Sequence, residues 1–258
     1  ICSLGSGVLN VHRYYSVPSL RDYQQDCITR CIDAISDGNK RIGVSLATGG
    51  GKTVIFSNLI DQLRASAARP THRTLILVHR RELALQAAAT LKKFFPLLNV
   101  QIEMGKYRGD LVTADVIIAS VQSLVRRLDS YPSRSIDLII IDEAHHAAAD
   151  SYLHILKHFD ADHKDTFIPV VGFSATFERA DNKALSRVMD KIVYHRGILE
   201  MIDAKWLCEG KFTTVDVNVN LDDVATSGFD FNIQGLSKVM NTPEVNKVVL
   251  QTYLQKKK

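Results

Sequence analysis

Five short apolar stretches of this chain constrain its fold more than anything else in it: residues 41–47, 74–78, 116–119, 138–141 and 168–173. Leu138-Ile139-Ile140-Ile141 shows the pattern most plainly. A strand with one wet face alternates apolar and polar residues, whereas these runs are continuous, so both of their faces must be covered. The intervening segments carry a different period. Leu20, Tyr23, Cys27, Ile28, Cys31, Ile32 and Ile35 recur at helical spacing. Ser19-Leu20-Arg21-Asp22 reads as a capping box that starts this helix, and Gly38 supplies its stop. Further helices are expected over 52–67, over 80–95 and near 121–128. Strands that alternate with helices predict an α/β fold, a mainly parallel sheet sandwiched between helices. The chemistry of such sheets lies beyond the carboxyl ends of the strands.

The glycine-rich run Ala47-Thr48-Gly49-Gly50-Gly51-Lys52-Thr53 falls at the first of those ends. Glycines let the backbone curl and aim successive N–H groups at phosphate oxygens, and the following helix adds its positive end. Lys52 is expected to reach the β- and γ-phosphates of a nucleotide, and the Thr53 hydroxyl to hold Mg²⁺. The pattern G-x-x-x-x-G-K-[ST] is incomplete, because Leu46 occupies its first glycine position. Asp142 and Glu143 stand at a second strand end, directly after four aliphatic residues. Asp142 suits a Mg²⁺ ligand and Glu143 a group that orients or deprotonates water. Together the two motifs imply a Mg²⁺-dependent nucleoside triphosphatase.

Asp142-Glu143-Ala144-His145 is a DEAH box and Ala47 to Thr53 an A-T-G-x-G-K-T loop. With them the chain resembles a superfamily 2 helicase over roughly residues 20–207. The resemblance implies a RecA-like P-loop domain. In Leu20-Arg21-Asp22-Tyr23-Gln24 it implies that Gln24 reads adenine, which suits an amide carrying both a donor and an acceptor. It assigns the grip on a sugar-phosphate backbone to Arg80-Arg81, Gly105-Lys106, and Ser120 and Gln122. It gives Ser174-Ala175-Thr176 the coupling of nucleotide state to that grip. Backbone contacts of this kind carry no base information. The segment Glu143 to His146, Ser151-Tyr152, Phe177-Glu178-Arg179 and residues 199–207 resemble the group acting on double-stranded or branched DNA, which includes mitochondrial members. The resemblance implies a helicase or translocase, roles in DNA repair and recombination, and a monomeric motor. An RNA helicase, a nucleotide-gated binding module without motor activity and a metabolic P-loop kinase are the competing readings.

Composition sets the limits. Of 258 residues 46% are hydrophobic and the net charge is +4, which excludes a wholly disordered chain and permits a polyanion partner. No apolar run approaches the ~20 residues of a membrane span, so no membrane partner is expected. Cys2, Cys27, Cys31 and Cys208 form no C-x-x-C pair. Cys27 and Cys31 share a helical face and are expected to be buried, in a reducing compartment.

The chain is expected to divide into a leader (1–18), an ATP-binding domain (19–207), and a linker leading to a second RecA-like domain (208–258). The leader is Ser-rich, lacks acids and carries Arg13-Tyr14-Tyr15-Ser16, like a mitochondrial cleavage site; a frayed terminus fits equally. Residues 213–234 read as a polar connection. Thr242-Pro243-Glu244 starts a helix with proline at its first position, and Lys256-Lys257-Lys258 reads as a solvated tail. The resemblance implies that the arginine finger, worth about 10³–10⁵ in rate elsewhere, lies in a second domain. These residues alone are therefore expected to hydrolyse ATP poorly.

Overall fold

The computed structural model describes residues 19–66, 72–163, 165–177, 188–210, 214, 216–217, 221, 226–227 and 230–256. The leader, Glu178, Arg179, Asp222, Asp223, Lys257 and Lys258 lie outside the described residues. The chain divides into two compact units, Ile1–Cys208 and Glu209–Lys258.

The first unit is built on a parallel sheet of seven described strands in the order β3-β4-β2-β5-β6-β1-β7. In chain order these are β1 Arg41–Leu46, β2 Thr74–Val78, β3 Val100–Glu103, β4 Val116–Ser120, β5 Leu138–Asp142, β6 Val170–Ser174 and β7 Lys191–Arg196. The five stretches read from the sequence form the middle five strands. Their pleat explains the unbroken apolarity. Ile76, Val78 and Ile140 face one core, with helices α1 (Asp22–Ser36), α2 (Lys52–Ser66) and α3 (Arg81–Phe94). Leu75, Leu77, Ile139 and Ile141 face the other, with α4 (Val121–Leu124) and α5 (Asp150–His158). Period-two alternation puts successive side chains on opposite faces, and here each face meets a helical layer.

Several expectations are corrected. Helix α1 begins at Asp22, so Ser19 does not cap it. The reciprocal half of the cap is made by Gln24, whose Oε1 accepts the Arg21 N–H at 3.0 Å. The helix expected near 121–128 is one α-turn, continued as a 3₁₀ helix over Val125–Ser130. Outer strands β3 and β7 were not read, since each is covered on fewer sides and lacks a continuous apolar run. Helix α5 and the short α6 (Ile198–Asp203) were also not read. Cys27 and Cys31 are buried and Cys208 is exposed. Gly38, at φ 93°, ends α1.

In the second unit, the segment read as a polar connection holds a two-strand pairing of Thr226–Ser227 with Asp230–Phe231. The start of α7 (Ile233–Met240) also falls within it. Helix α8 (Pro243–Lys256) carries proline at its first position, with Thr242 Oγ1 accepting the Val245 N–H at 3.3 Å. Among the described residues no helix is long and apolar enough to cross a membrane.

Candidate nucleotide and nucleic-acid site

Strand β1 delivers the loop 47–51 to the carboxyl edge, and Lys52 opens α2. Gly49 (φ 84°) and Gly51 (φ 77°) adopt the left-handed backbone that glycine reaches without steric cost. Gly51 is needed for a second reason: a Cβ there would lie 2.6 Å from Gln24 Nε2. Gln24 is buried, so its amide rests on the end of the loop while its oxygen caps α1. Tyr23 Oη donates to the Gly50 carbonyl at 2.9 Å, and the Gly50 N–H donates to the Ala47 carbonyl at 3.0 Å. Helix α1 therefore clamps the loop. Thr48 and Gly49 are exposed, while Lys52 and Thr53 are half-buried at the head of α2.

Asp142 ends β5, two strands from the loop through β6. It is 6% exposed, and burial, then the neighbouring Glu143 charge, push its carboxyl up from 3.8 to about 6. Lys52 and the Glu143 N–H, 3.1 Å from Asp142 Oδ1, pull the other way. Glu143 itself sits at φ 54°, ψ 52°, a conformation that costs a non-glycine residue about 1–2 kcal/mol. The turn aims its carboxylate so that Oε1 lies 3.9 Å from Lys52 Nζ. At that distance the pair is a loose electrostatic contact rather than a formed hydrogen bond. A buried, poorly solvated carboxylate next to a lysine, a threonine and a glycine cradle is a donor set of hard oxygens suited to Mg²⁺ and phosphate.

A third element closes on the carboxylates. His145 Nδ1 lies 3.4 Å from Glu143 Oε2 and 3.0 Å from Ser174 Oγ, and the Thr176 N–H donates to Ser174 Oγ at 3.1 Å. Burial, then His146, holds His145 below the usual histidine range, while Glu143 pulls it the other way. Ser174 is fully buried and Ala175 and Thr176 are half-buried at the end of β6. Tyr152 on α5 also belongs here, a role that residue type and spacing did not signal. Its buried hydroxyl has no hydrogen-bond partner among the described residues. Burial, then Asp142 and Glu143, raise its pKa to about 12.

The residues expected to grip nucleic acid lie on the neighbouring ends of β2, β3 and β4. Arg80 and Arg81 are exposed at the start of α3. Gln122 Nε2 donates to the His79 carbonyl at 3.4 Å, which ties the start of α4 to the residue before Arg80. The Gly105 N–H donates to Ser123 Oγ at 3.1 Å, and Ser120 Oγ lies 3.1 Å from that hydroxyl. Beneath Gly105-Lys106 sits a charged network that the sequence did not reveal. Glu103 is 1% exposed and is met by Arg127, by Tyr131 Oη at 2.7 Å and by the Gly109 N–H at 3.0 Å. Arg127 also donates to the Gly105 carbonyl. A buried carboxylate fully supplied with donors stiffens the turn it supports.

Residues 18–179 match the family described as Type III restriction enzyme, res subunit. The chain belongs to this family of superfamily 2 helicases. Over 250 residues it is 64% identical to IRC3 of Saccharomyces cerevisiae, which is named as an ATP-dependent helicase; the match covers 96% of this chain and 36% of that protein. Over 212 residues it is 42% identical to irc3 of Schizosaccharomyces pombe, named as a mitochondrial ATP-dependent helicase, covering 81% of this chain and 34% of that one. The chain thus spans about a third of the length of these relatives. The Hef helicase domain of Pyrococcus furiosus shares the fold, with a TM-score of 0.55 at 22% identity over 68% of this chain and 38% of that one. The RecA-like sheet expected from the sequence is the one observed.

Proposed function

We propose that this chain is the first ATP-binding lobe of a monomeric mitochondrial motor that translocates on, or opens, double-stranded or branched DNA. One observation carries the reading. The phosphate loop, the Asp142-Glu143 pair, Ser174 to Thr176 and the row from Arg80 to Gln122 lie along one carboxyl edge of one sheet. The S. pombe relative's name and the acid-poor leader support mitochondrial location. The resemblance to enzymes of duplex and branched DNA supports the substrate.

In this reading Lys52 and the loop amides bind the triphosphate, and Gln24 senses the base through its side-chain amide. Thr53 and Asp142 would hold Mg²⁺, which supplies charge neutralisation for the transferred phosphoryl group. Glu143, held by its left-handed turn, accepts the proton of the attacking water. His145 passes the position of Glu143 to Ser174 and Thr176. Arg80, Arg81, Lys106, Ser120 and Gln122 contact phosphates and sugars, which orients the strand without reading its bases. Residues 208–258 lead toward a second RecA-like domain that completes the site, so the isolated chain turns ATP over slowly.

The test is ATP turnover by the full-length protein, alone and with duplex DNA, branched DNA, single-stranded DNA or RNA, beside Glu143→Gln. Stimulation by DNA, branched DNA most, with turnover lost in the variant, is the expected outcome. Stimulation by RNA alone would overturn the substrate, and an unstimulated protein indifferent to Glu143→Gln would overturn the motor.

A further inference from the structure

Three histidines form a stack, and two of them, His146 and His79, have no part in the proposed ATPase chemistry. The ring centroids of His145 and His146 are 4.1 Å apart and those of His146 and His79 are 4.6 Å apart, tilted by 46° and 57°. Tilted rings at such separations attract one another. The stack crosses between the ends of the adjacent strands β5 and β2. At one end, His145 touches Glu143 and Ser174. At the other, His79 directly precedes Arg80 in the chain, and its carbonyl receives the Gln122 amide. His79 Nδ1 is buried without a hydrogen-bond partner among the described residues, so ring contact does much to seat the side chain. Burial, followed by His146, holds the His79 pKa below its usual range.

From this geometry we infer that His146 is a positioning residue that couples the carboxylate turn to the nucleic-acid grip through His79. The inference rests on the proposed motor function and adds a route to it. A shift of His145 with nucleotide state moves His146 and then His79. Because Arg80 and Gln122 are tied to the His79 backbone, the grip moves with it. The path shares His145 with the one through Ser174 and departs from it at His146. His146 is exposed, so truncating it opens no core cavity and the variant is a clean probe.

The experiment uses the full-length protein and measures ATP turnover against duplex-DNA concentration and in its absence. His146→Ala is expected to leave unstimulated turnover and the KM for ATP within about two-fold, while stimulation falls by roughly 5- to 150-fold, the span of typical site-to-site coupling. His146→Phe keeps a ring and is expected to restore most of the stimulation. His79→Ala should reproduce the defect, and the double variant should be no worse than either single one, as members of one path behave. Stimulation retained by His146→Ala, or His146→Phe as defective as His146→Ala, overturns the inference while leaving the motor intact. An unaltered protein that no nucleic acid stimulates overturns the motor reading itself and this one with it.

Discussion

Around β1, β5 and β6 the functional groups are enclosed and held by the backbone: two left-handed glycines, a left-handed Glu143 and a carboxyl at 6% exposure. Around β2, β3 and β4 they are long and solvated: Arg80, Arg81, Lys106 and Gln122 are all exposed, and their order comes from what lies beneath them. Phosphoryl chemistry needs fixed charges in a poorly solvated place, where electrostatics are strong. Gripping a polyanion needs charge at the surface, where many weak contacts add and can be exchanged. In the proposed function one sheet edge would serve both by changing how it anchors side chains from one half to the other.

That contrast can be broken on either side. The largest effect is expected from Glu143→Gln. Turnover should fall by about 10²–10⁴-fold, as for loss of a positioned general base, while DNA affinity measured by anisotropy stays unchanged. Next comes Asp142→Asn. The folded carboxyl titrates near 6 against an ordinary 3.8, so the folded chain keeps a proton that the unfolded chain has already released. Ionised Asp142 therefore costs stability as pH rises from about 4 to about 6, and the full cost, roughly 3 kcal/mol, persists above that. The variant should melt higher than the parent at pH 7.5, with the difference vanishing near pH 4, and it should lose ATP turnover. Added Mg²⁺ should raise the parent's Tm more than the variant's. Equal melting at pH 7.5 would refute the burial cost.

Smaller effects belong to the nucleic-acid half. Tyr131→Phe removes one donor from buried Glu103 and is expected to cost about 1–3 kcal/mol in denaturant unfolding. It should also weaken DNA binding, because the Gly105 turn loses its support; unchanged DNA affinity would detach the network from the grip. Smallest is Arg80→Ala, which should lower DNA affinity alike for every sequence and reduce the slope of log K against log salt by about 1. A sequence-dependent loss would mean that Arg80 reads bases.

The same contrast decided what was legible in the sequence. The phosphate loop and the two acids are local features. Each is a few residues long, directly follows a buried strand, and its backbone requirements appear as Gly49, Gly51 and the end of an aliphatic run. The five central strands were legible because burial on both faces leaves only apolar residues to choose from. Strand β7 was not, since its side chains are mostly exposed or half-buried. Arg80, Lys106 and Gln122 came from family resemblance, because a solvated cation carries no local signature. Glu103 escaped, and Tyr152 entered only through the resemblance with no place at the carboxylates, because their surroundings assemble from distant segments. Glu103 meets Tyr131 across 28 positions, a relation no local period records. Gln24 was read as a base sensor, and its capping of α1 and contact with Gly51 became visible only with the helix start at Asp22.

The strand order has a consequence for how the protein is made. Strand β1, which carries the phosphate loop, is flanked by β6 and β7, whose residues come far later in the chain. Pairings so distant in sequence form late, because the loop between them must close first. On the ribosome, β1 waits with both edges unpaired until Val170–Ser174 has emerged, while β2 and β4 can already pair. The half of the edge proposed to grip nucleic acid can thus assemble on a nascent chain before the half proposed to bind nucleotide is complete.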